Sequence, residues 1–187
     1  KITLNEEDII NLLNTGFEDR NELYKFASDV KKHYVDNVTY FRGLIEFSNI
    51  CSKNCLYCGI RFGNKNLQRY DLSDNEILEA ARFAYDNNYG SIVLQGGEIE
   101  SKRHADRICN LINEMMKMSN NKIGITLSLG EQSKETYELW KNAGAKRYLL
   151  RIETSDKELY YKIHPKNSNH NFDRRVECLK LLKEIGY

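Results

Sequence analysis

Short runs rich in Ile, Leu and Val alternate with helix-patterned segments from residue 40 onward, and no other feature restricts the fold of this 187-residue chain as much. The expected strands are Tyr40–Phe47, Ser91–Gln95, Lys122–Leu129 and Arg147–Ile152, with the composition of parallel strands buried on both faces. Between them, apolar stripes recur at helical spacing: Ile77/Ala81/Ala84, Ile108/Leu111/Ile112/Met115 and Tyr137/Trp140. Ser73-x-x-Glu76 and Ser155-x-x-Glu158 read as capping boxes, and Gly90 and Gly144 stand where helices stop before strands. A last helix over Asp173–Ile185 ends at Gly186. Strand–helix–strand units joined by right-handed crossovers build a parallel α/β sheet.

Two helices precede this pattern. Thr3-x-x-Glu6 opens the first, ahead of Ile9, Ile10, Leu12 and Leu13. Asp19-x-x-Glu22, an acidic variant of the same box, opens the second, ahead of Leu23, Phe26, Ala27 and Val30. The expected organisation is a helical segment over 1–39 and an α/β domain over 40–187. A formal charge of +1 gives no electrostatic case for nucleic acid, and no stretch approaches the roughly twenty apolar residues of a membrane span. With no initiator Met and an end just past a helix, the sequence is expected to be a piece of something longer.

Cys51, Cys55 and Cys58 fall in one run, Cys51-Ser-Lys-Asn-Cys55-Leu-Tyr-Cys58. Iron–sulfur clusters are held by thiolates, and a cubane [4Fe–4S] cluster normally takes four, so a set of three leaves one iron open to another ligand. An open metal position is where substrate chemistry takes place, as catalytic zinc sites illustrate. Zinc is the rival occupant, but zinc sites usually pair two knuckles or add distant histidines, and no second knuckle is present. Three unconnected buried thiols are the third reading. Cys109 and Cys178 sit in apolar helical stripes and read as core. Five cysteines, an odd number, with no apolar signal segment, argue against a secreted disulfide framework and for a reducing cytoplasm.

In parallel barrels catalytic groups gather at the C-terminal ends of the strands, and each expected strand here delivers polar groups or a glycine turn to that rim. The first leads into the cysteine loop, the second into Gln95-Gly96-Gly97-Glu98, the third into Ser128-Leu129-Gly130-Glu131 and the fourth into Arg151-Ile152-Glu153-Thr154. Gly96 and Gly97 allow a ligand close to the backbone. Arg151 and Glu153, two apart, are expected on one face of the fourth strand. There an arginine can grip a carboxylate bidentately and a glutamate can accept from a hydroxyl or an ammonium. A structural ion pair lining the barrel is the alternative.

The CxxxCxxC spacing, followed by Gly59 and with Tyr57 at the aromatic position before the third cysteine, resembles the radical S-adenosylmethionine (SAM) superfamily. The resemblance implies a TIM-like (β/α) barrel, of which about four βα units would be the N-terminal half. An open half-barrel leaves strand edges unpaired and is expected to dimerise, aggregate or depend on the missing half. Also implied are a [4Fe–4S] cluster on Cys51, Cys55 and Cys58, SAM chelated at its open iron, and one-electron cleavage of SAM to methionine and a 5′-deoxyadenosyl radical. By the same resemblance Gly96-Gly97-Glu98 holds the methionyl amino group, and Gln95, Ser128, Glu131, Arg151, Glu153 and Arg175 are further SAM-binding candidates. Arg175, opening the last helix, matches a SAM-carboxylate arginine, with Arg174 the alternative if the register slips by one.

Longer strings, among them Phe41–Cys51, Asn54–Arg61, Thr126–Glu131 and Arg147–Thr154, resemble the HydE family of [FeFe]-hydrogenase maturation proteins. Implied are assembly of the diiron subcluster from an organometallic precursor, a reduced ferredoxin- or flavodoxin-type electron donor, and other hydrogenase maturases as partners. A different small-molecule substrate, as in biotin synthase or methylornithine synthase, is the alternative; a non-catalytic metal-binding fragment is the reading from another class. Two departures touch the site: Gly96 stands where that family usually has serine, and the stretch Pro165–Phe172 is longer than the corresponding loop. His33, His104, His164 and His170 read as solvent-facing. Arg61, Lys65 and Arg69 read as a solvated face, with an anionic substrate or an electron donor as the functional alternative.

Overall fold

The structure is a computed structural model that describes residues 3–187. It divides into a first unit ending at Tyr40 and a second running from Phe41 to Tyr187. The first unit holds α1 (Glu6–Leu13) and α2 (Arg20–Val35), neither with a buried residue. The α1 cap is Asn5 rather than Thr3: its side chain accepts from the Asp8 N–H at 2.8 Å while the Asp8 carboxylate accepts from the Asn5 N–H at 3.0 Å. The reciprocal box forms two residues further along because Asn5 has the extended backbone a cap requires. Asp19 precedes α2 but makes no side-chain capping bond, because its own backbone is already helical.

The second unit runs β1 (Arg42–Ser48), α3 (Asp74–Asp86), β2 (Ser91–Gly96), α4 (Lys102–Met118), β3 (Gly124–Ser128), α5 (Lys134–Ala143), β4 (Ala145–Tyr148), α6 (Lys157–Ile163) and α7 (Phe172–Ile185). The four strands are parallel in the order β1-β2-β3-β4, with Leu44 opposite Val93 and Gln95 opposite Ser128. This is part of a TIM-like barrel, with β1 and β4 at the two edges. The Ser73–Glu76 box caps α3 as expected, whereas α6 is capped by Asp156, not Ser155, through the N–H groups of Glu158 and Leu159.

The core lies on one side of the sheet. Ile45, Phe47, Ile92, Leu94, Ile125 and Leu127 pack there with Ile77, Ala81 and Ala84 of α3 and Ile108, Leu111, Ile112 and Met115 of α4. Tyr137, Leu150, Cys178 and Leu182 form a second cluster. The expectation of strands buried on both faces is corrected: Leu44 is 57 % exposed, and Val93, Gln95, Thr126 and Ser128 are only partly covered. That second face is the inside of a barrel, and side chains fill a barrel interior only when the strands close around it. Cys178 is buried, and Cys109 is half-buried at the core margin.

The fourth strand is also corrected. A bulge sets Ile125 opposite Ala145 but Thr126 opposite Arg147, and β4 ends at Tyr148. Beyond it only the Leu149 N–H still reaches across, to the Leu127 carbonyl at 2.7 Å. Residues 149–154 are therefore a βα loop. Among the described residues no helix is long and apolar enough to cross a membrane.

The histidine expectation fails for three of the four, because His104, His164 and His170 are buried. His104 stacks on Phe47 with ring centroids 6.4 Å apart. Burial, helped by the Arg107 charge, lowers its pKa, and burial likewise lowers those of His164 and His170. Groups with a depressed folded-state pKa are neutral in both states above about pH 6.5. As the pH falls below that, the unfolded chain binds protons that the fold refuses, so the contribution is lost. Urea midpoints should therefore fall between pH 7.5 and pH 5, and His104→Phe should show a shallower fall than the parent protein.

Candidate active site

The loop from Asn49 to Ser73 is built by polar clamps rather than by a core. Arg69 lies beneath it and donates to the carbonyls of Asn49, Ile60, Arg61 and Asn64 at 2.6, 2.8, 2.7 and 3.3 Å. This corrects its reading as a solvated cation: four carbonyls exposed by an irregular backbone need donors, and the guanidinium supplies them. Asn49 ties the loop's end to its start, donating to the Gln68 carbonyl at 2.9 Å and accepting from the Tyr70 N–H at 2.8 Å.

Cys51, Cys55 and Cys58 line one cleft of about 160 Å³, with Tyr57, Gly96, Gly97, Glu98, Ser128, Arg151, Glu153 and Arg175 also on its wall. All three cysteines are free and half-buried. Cys51 Sγ accepts from the backbone N–H groups of Lys53 at 3.4 Å and Glu98 at 3.3 Å. Burial raises the Cys51 thiol above its usual pKa and those two N–H groups oppose it; burial also raises Cys55. Gly97 is required here, because a Cβ would lie 2.1 Å from the Ile50 carbonyl oxygen and 2.7 Å from Cys51 Cβ. The donor set fits an iron–sulfur cluster, in which each thiolate binds a different iron and N–H donors face the sulfurs. Among the described residues no three His, Cys, Asp or Glu side chains converge on a single-ion site of the kind zinc takes.

Under the cleft lies a buried charge network. Lys53 Nζ meets Glu98 Oε1 at 3.0 Å and Glu131 Oε2 at 2.9 Å, while Arg175 reaches Glu98 Oε2 at 3.4 Å and Glu131 Oε1 at 2.8 Å. Two cations face two carboxylates, and all four residues are less than 9 % exposed. Burial alone would depress the Lys53 ammonium, but Glu98 and Glu131 outweigh it and raise its pKa. For Glu98 burial wins, raising the carboxyl against Arg175 and Lys53. The network joins the cysteine loop to the ends of β2 and β3 and to the first turns of α7. Lys53 carried no motif; its signal was a lysine inside the cysteine run with no carboxylate nearby in sequence.

The loop 164–171 closes the other side of the cysteine run. Lys53 Nζ also donates to the Asn169 carbonyl, and the Leu56 N–H donates to the Ile163 carbonyl at 2.9 Å. His170 Nδ1 contacts Asn167 Oδ1 at 2.9 Å, which leaves Nε2 to accept from the Asn54 N–H at 2.9 Å. That arrangement needs a neutral ring, and burial and the Lys53 charge pull His170 down to about 4. His164 Nδ1 contacts the Tyr160 carbonyl at 2.9 Å and its Nε2 lies 3.3 Å from Tyr57 Oη. The loop 164–171 is thus part of the site's frame.

The remaining candidates divide. Arg151 and Glu153 both face the cleft and are exposed, but they reach it from the loop after β4, not from one face of a strand. Glu153 holds a left-handed φ of 64°, a strained position of the kind found at ligand sites. Glu131 is 1 % exposed and lies behind the wall as a counter-charge. Gln95 is also off the wall, with its amide donating to Glu46 Oε1 at 3.0 Å. Arg175, not Arg174, faces the cleft; Arg174 pairs with Glu100 at 2.5 Å and lies 3.6 Å from Glu131 Oε2. At Gly96 a Cβ would stand 3.0 Å from Phe47 Cζ, so the aromatic ring occupies the room a serine would need. Gly96→Ser should cost about 1–3 kcal/mol by overpacking, read as a lowered urea midpoint that Phe47→Leu partly restores.

A profile of the radical SAM superfamily matches residues 45–187. The chain is 44 % identical over 181 residues to the [FeFe] hydrogenase maturase subunit HydE of Thermotoga maritima, covering 97 % of this chain and 49 % of that protein. Among solved structures it is similar to methylornithine synthase (PylB), with a TM-score of 0.80, 27 % identity, and coverage of 100 % of this chain and 54 % of that one. It is also similar to HydG, a maturase of the [FeFe]-hydrogenase, with a TM-score of 0.77, 26 % identity, and coverage of 98 % and 41 %. The chain spans about half the length of the curated relatives it matches.

Proposed function

This chain belongs to the radical SAM superfamily, whose enzymes use a [4Fe–4S] cluster and SAM, and we propose that it serves [FeFe]-hydrogenase maturation in the manner of HydE. One observation carries the chemistry: three free cysteines open onto a single cleft with Gly96-Gly97-Glu98 and the loop after β4. When bound, the cluster supplies the electron that cleaves SAM to methionine and a 5′-deoxyadenosyl radical. Cys51, Cys55 and Cys58 would hold it, leaving one iron for SAM. Gly97 lets the strand end approach the cysteine loop, and the Glu98 N–H donates to the Cys51 sulfur. Arg151 is free to bind the SAM carboxylate and Glu153 a ribose hydroxyl or the ammonium, whereas the Arg175 guanidinium is held by Glu98 and Glu131 and acts as a fixed positive wall. The likeness to HydE over nearly the whole chain favours the maturation role, and an organometallic substrate, over the methylornithine synthase-like alternative.

Anaerobic reconstitution tests the chemistry: about four irons per chain and a reduced-state EPR signal perturbed by SAM are expected, and zinc with no cluster would refute the reading. Restoration of hydrogenase activity in a maturation mixture lacking its HydE component tests the role, and no restoration by the cluster-loaded protein would favour a different small molecule. Arg151→Ala and Glu153→Ala should each weaken SAM by about 1.5–3 kcal/mol, roughly tenfold or more, with iron content intact. Titration of the EPR signal by SAM measures it.

A further inference from the structure

Residues 47–70 contain Lys53, Arg61, Lys65 and Arg69 and no carboxylate, in a chain that as a whole has 28 basic and 27 acidic residues. The fold uses two of the four internally, Lys53 on Glu98 and Glu131 and Arg69 on backbone carbonyls. Arg61 and Lys65 remain, and neither joins an ion pair among the described residues. Arg61 donates to the Leu56 carbonyl at 3.1 Å, and Lys65 Nζ stands 4.4 Å over the Phe62 ring. Phe62 is 60 % exposed and Ile50 42 %.

Lys65, Phe62 and Ile50 border a second pocket, of about 280 Å³, with Arg69 and Cys51 itself also on its wall; Arg61 is next to Phe62 in the chain but off that wall. Cys51 is therefore reached from two directions, from the cleft with Arg151 and Glu153 and from this cationic, aromatic-centred side. We propose that the second side, Phe62 and Ile50 beside Lys65, with the unpaired Arg61 adjoining Phe62 in the chain, is the docking face for a small acidic protein that carries one electron to the cluster. The proposal rests on the cysteines being cluster ligands. One electron leaves the reduced carrier, which is oxidised by one unit, and enters the cluster, which is reduced by one; no bond or proton moves. Encounters of this kind bury little surface and depend on charge complementarity, which sets their on-rate and salt dependence. Unneutralised cations around an exposed aromatic, one shell from a ligand thiol, meet that requirement, and keep the carrier out of the SAM cleft.

The test uses anaerobically reconstituted protein and a strongly acidic [2Fe–2S] ferredoxin as the probe, comparing the parent protein with Arg61→Glu/Lys65→Glu. Calorimetry with both proteins oxidised should show binding weakened at least about tenfold at low ionic strength, with the difference gone at 1 M salt, where the screening length is roughly 3 Å. Stopped-flow reduction of the cluster by the reduced ferredoxin should slow by a similar factor, whereas reduction by dithionite should be equal in both proteins. Lys65→Glu alone, which loses only the contact with Phe62, should give a smaller change of the same sign if the double variant takes up less iron. Equal binding and equal reduction rates would overturn the docking face while leaving the cluster in place. Failure of the parent protein to assemble a cluster would overturn the cysteine reading and the docking face with it.

Discussion

Replacing Cys51, Cys55 or Cys58 by alanine should each abolish the cluster's visible absorbance, its EPR signal and SAM cleavage, while Cys109→Ala and Cys178→Ala should leave all three. With three thiolates for four irons there is no spare protein ligand to take over. The other two cysteines have different surroundings: Cys178 packs with Tyr137, Leu150 and Leu182, and Cys109 lies against the α4 side of the core. Iron and sulfide counts on the five purified variants decide it, and full occupancy in any of the first three would remove the assignment. Cys178→Ala should still lower stability by about 1 kcal/mol, since it vacates buried volume.

The next largest effect is expected at Arg175. Arg175→Met leaves Glu98 with Lys53 as its one cation and Glu131 with Lys53 and the more distant Arg174 at 3.6 Å, and breaking a buried ion network by removing one member costs about 3–5 kcal/mol. The loss should reach the cluster as well, because the network is what fixes Lys53, and through it the cysteine loop, to β2 and β3. Urea unfolding of the iron-free protein measures the first effect and iron retention during buffer exchange the second. Lys53→Met should behave alike in both assays. If Arg175→Met lost SAM affinity with stability unchanged, the guanidinium would be a ligand contact rather than part of the frame.

Much of this was legible in the chain itself. The core stripes of α3, α4 and α5 followed from 3.6-residue spacing, and the first three strands from clustered Ile, Leu and Val, since those patterns report which surface a segment must bury, whereas β4, Ala145–Tyr148, has none of the three. The site's location followed from a topological rule that places βα loops on one rim. Cysteine spacing marked the candidate cluster ligands because they are close in sequence.

What the sequence could not reveal involves partners far apart along it. Lys53 finds Glu131 across 78 positions, and the Asn54 N–H finds His170 across 116. The histidines looked solvent-facing because burial of a single polar side chain leaves no periodic trace. Arg69 looked like a surface cation because nothing local records that four loop carbonyls would need donors. Arg151 and Glu153 share no strand face because β4 ends at Tyr148, where its pairing with β3 stops, and that limit depends on the neighbouring strand. The sequence by itself determined the helices of the α/β unit, its first three strands and which three thiols are the candidate ligands, because periodicity and spacing are local. Tertiary structure alone decided which charges are buried against one another, which cations stay free and which face of the sheet is open, because desolvation and ion pairing depend on distances in space.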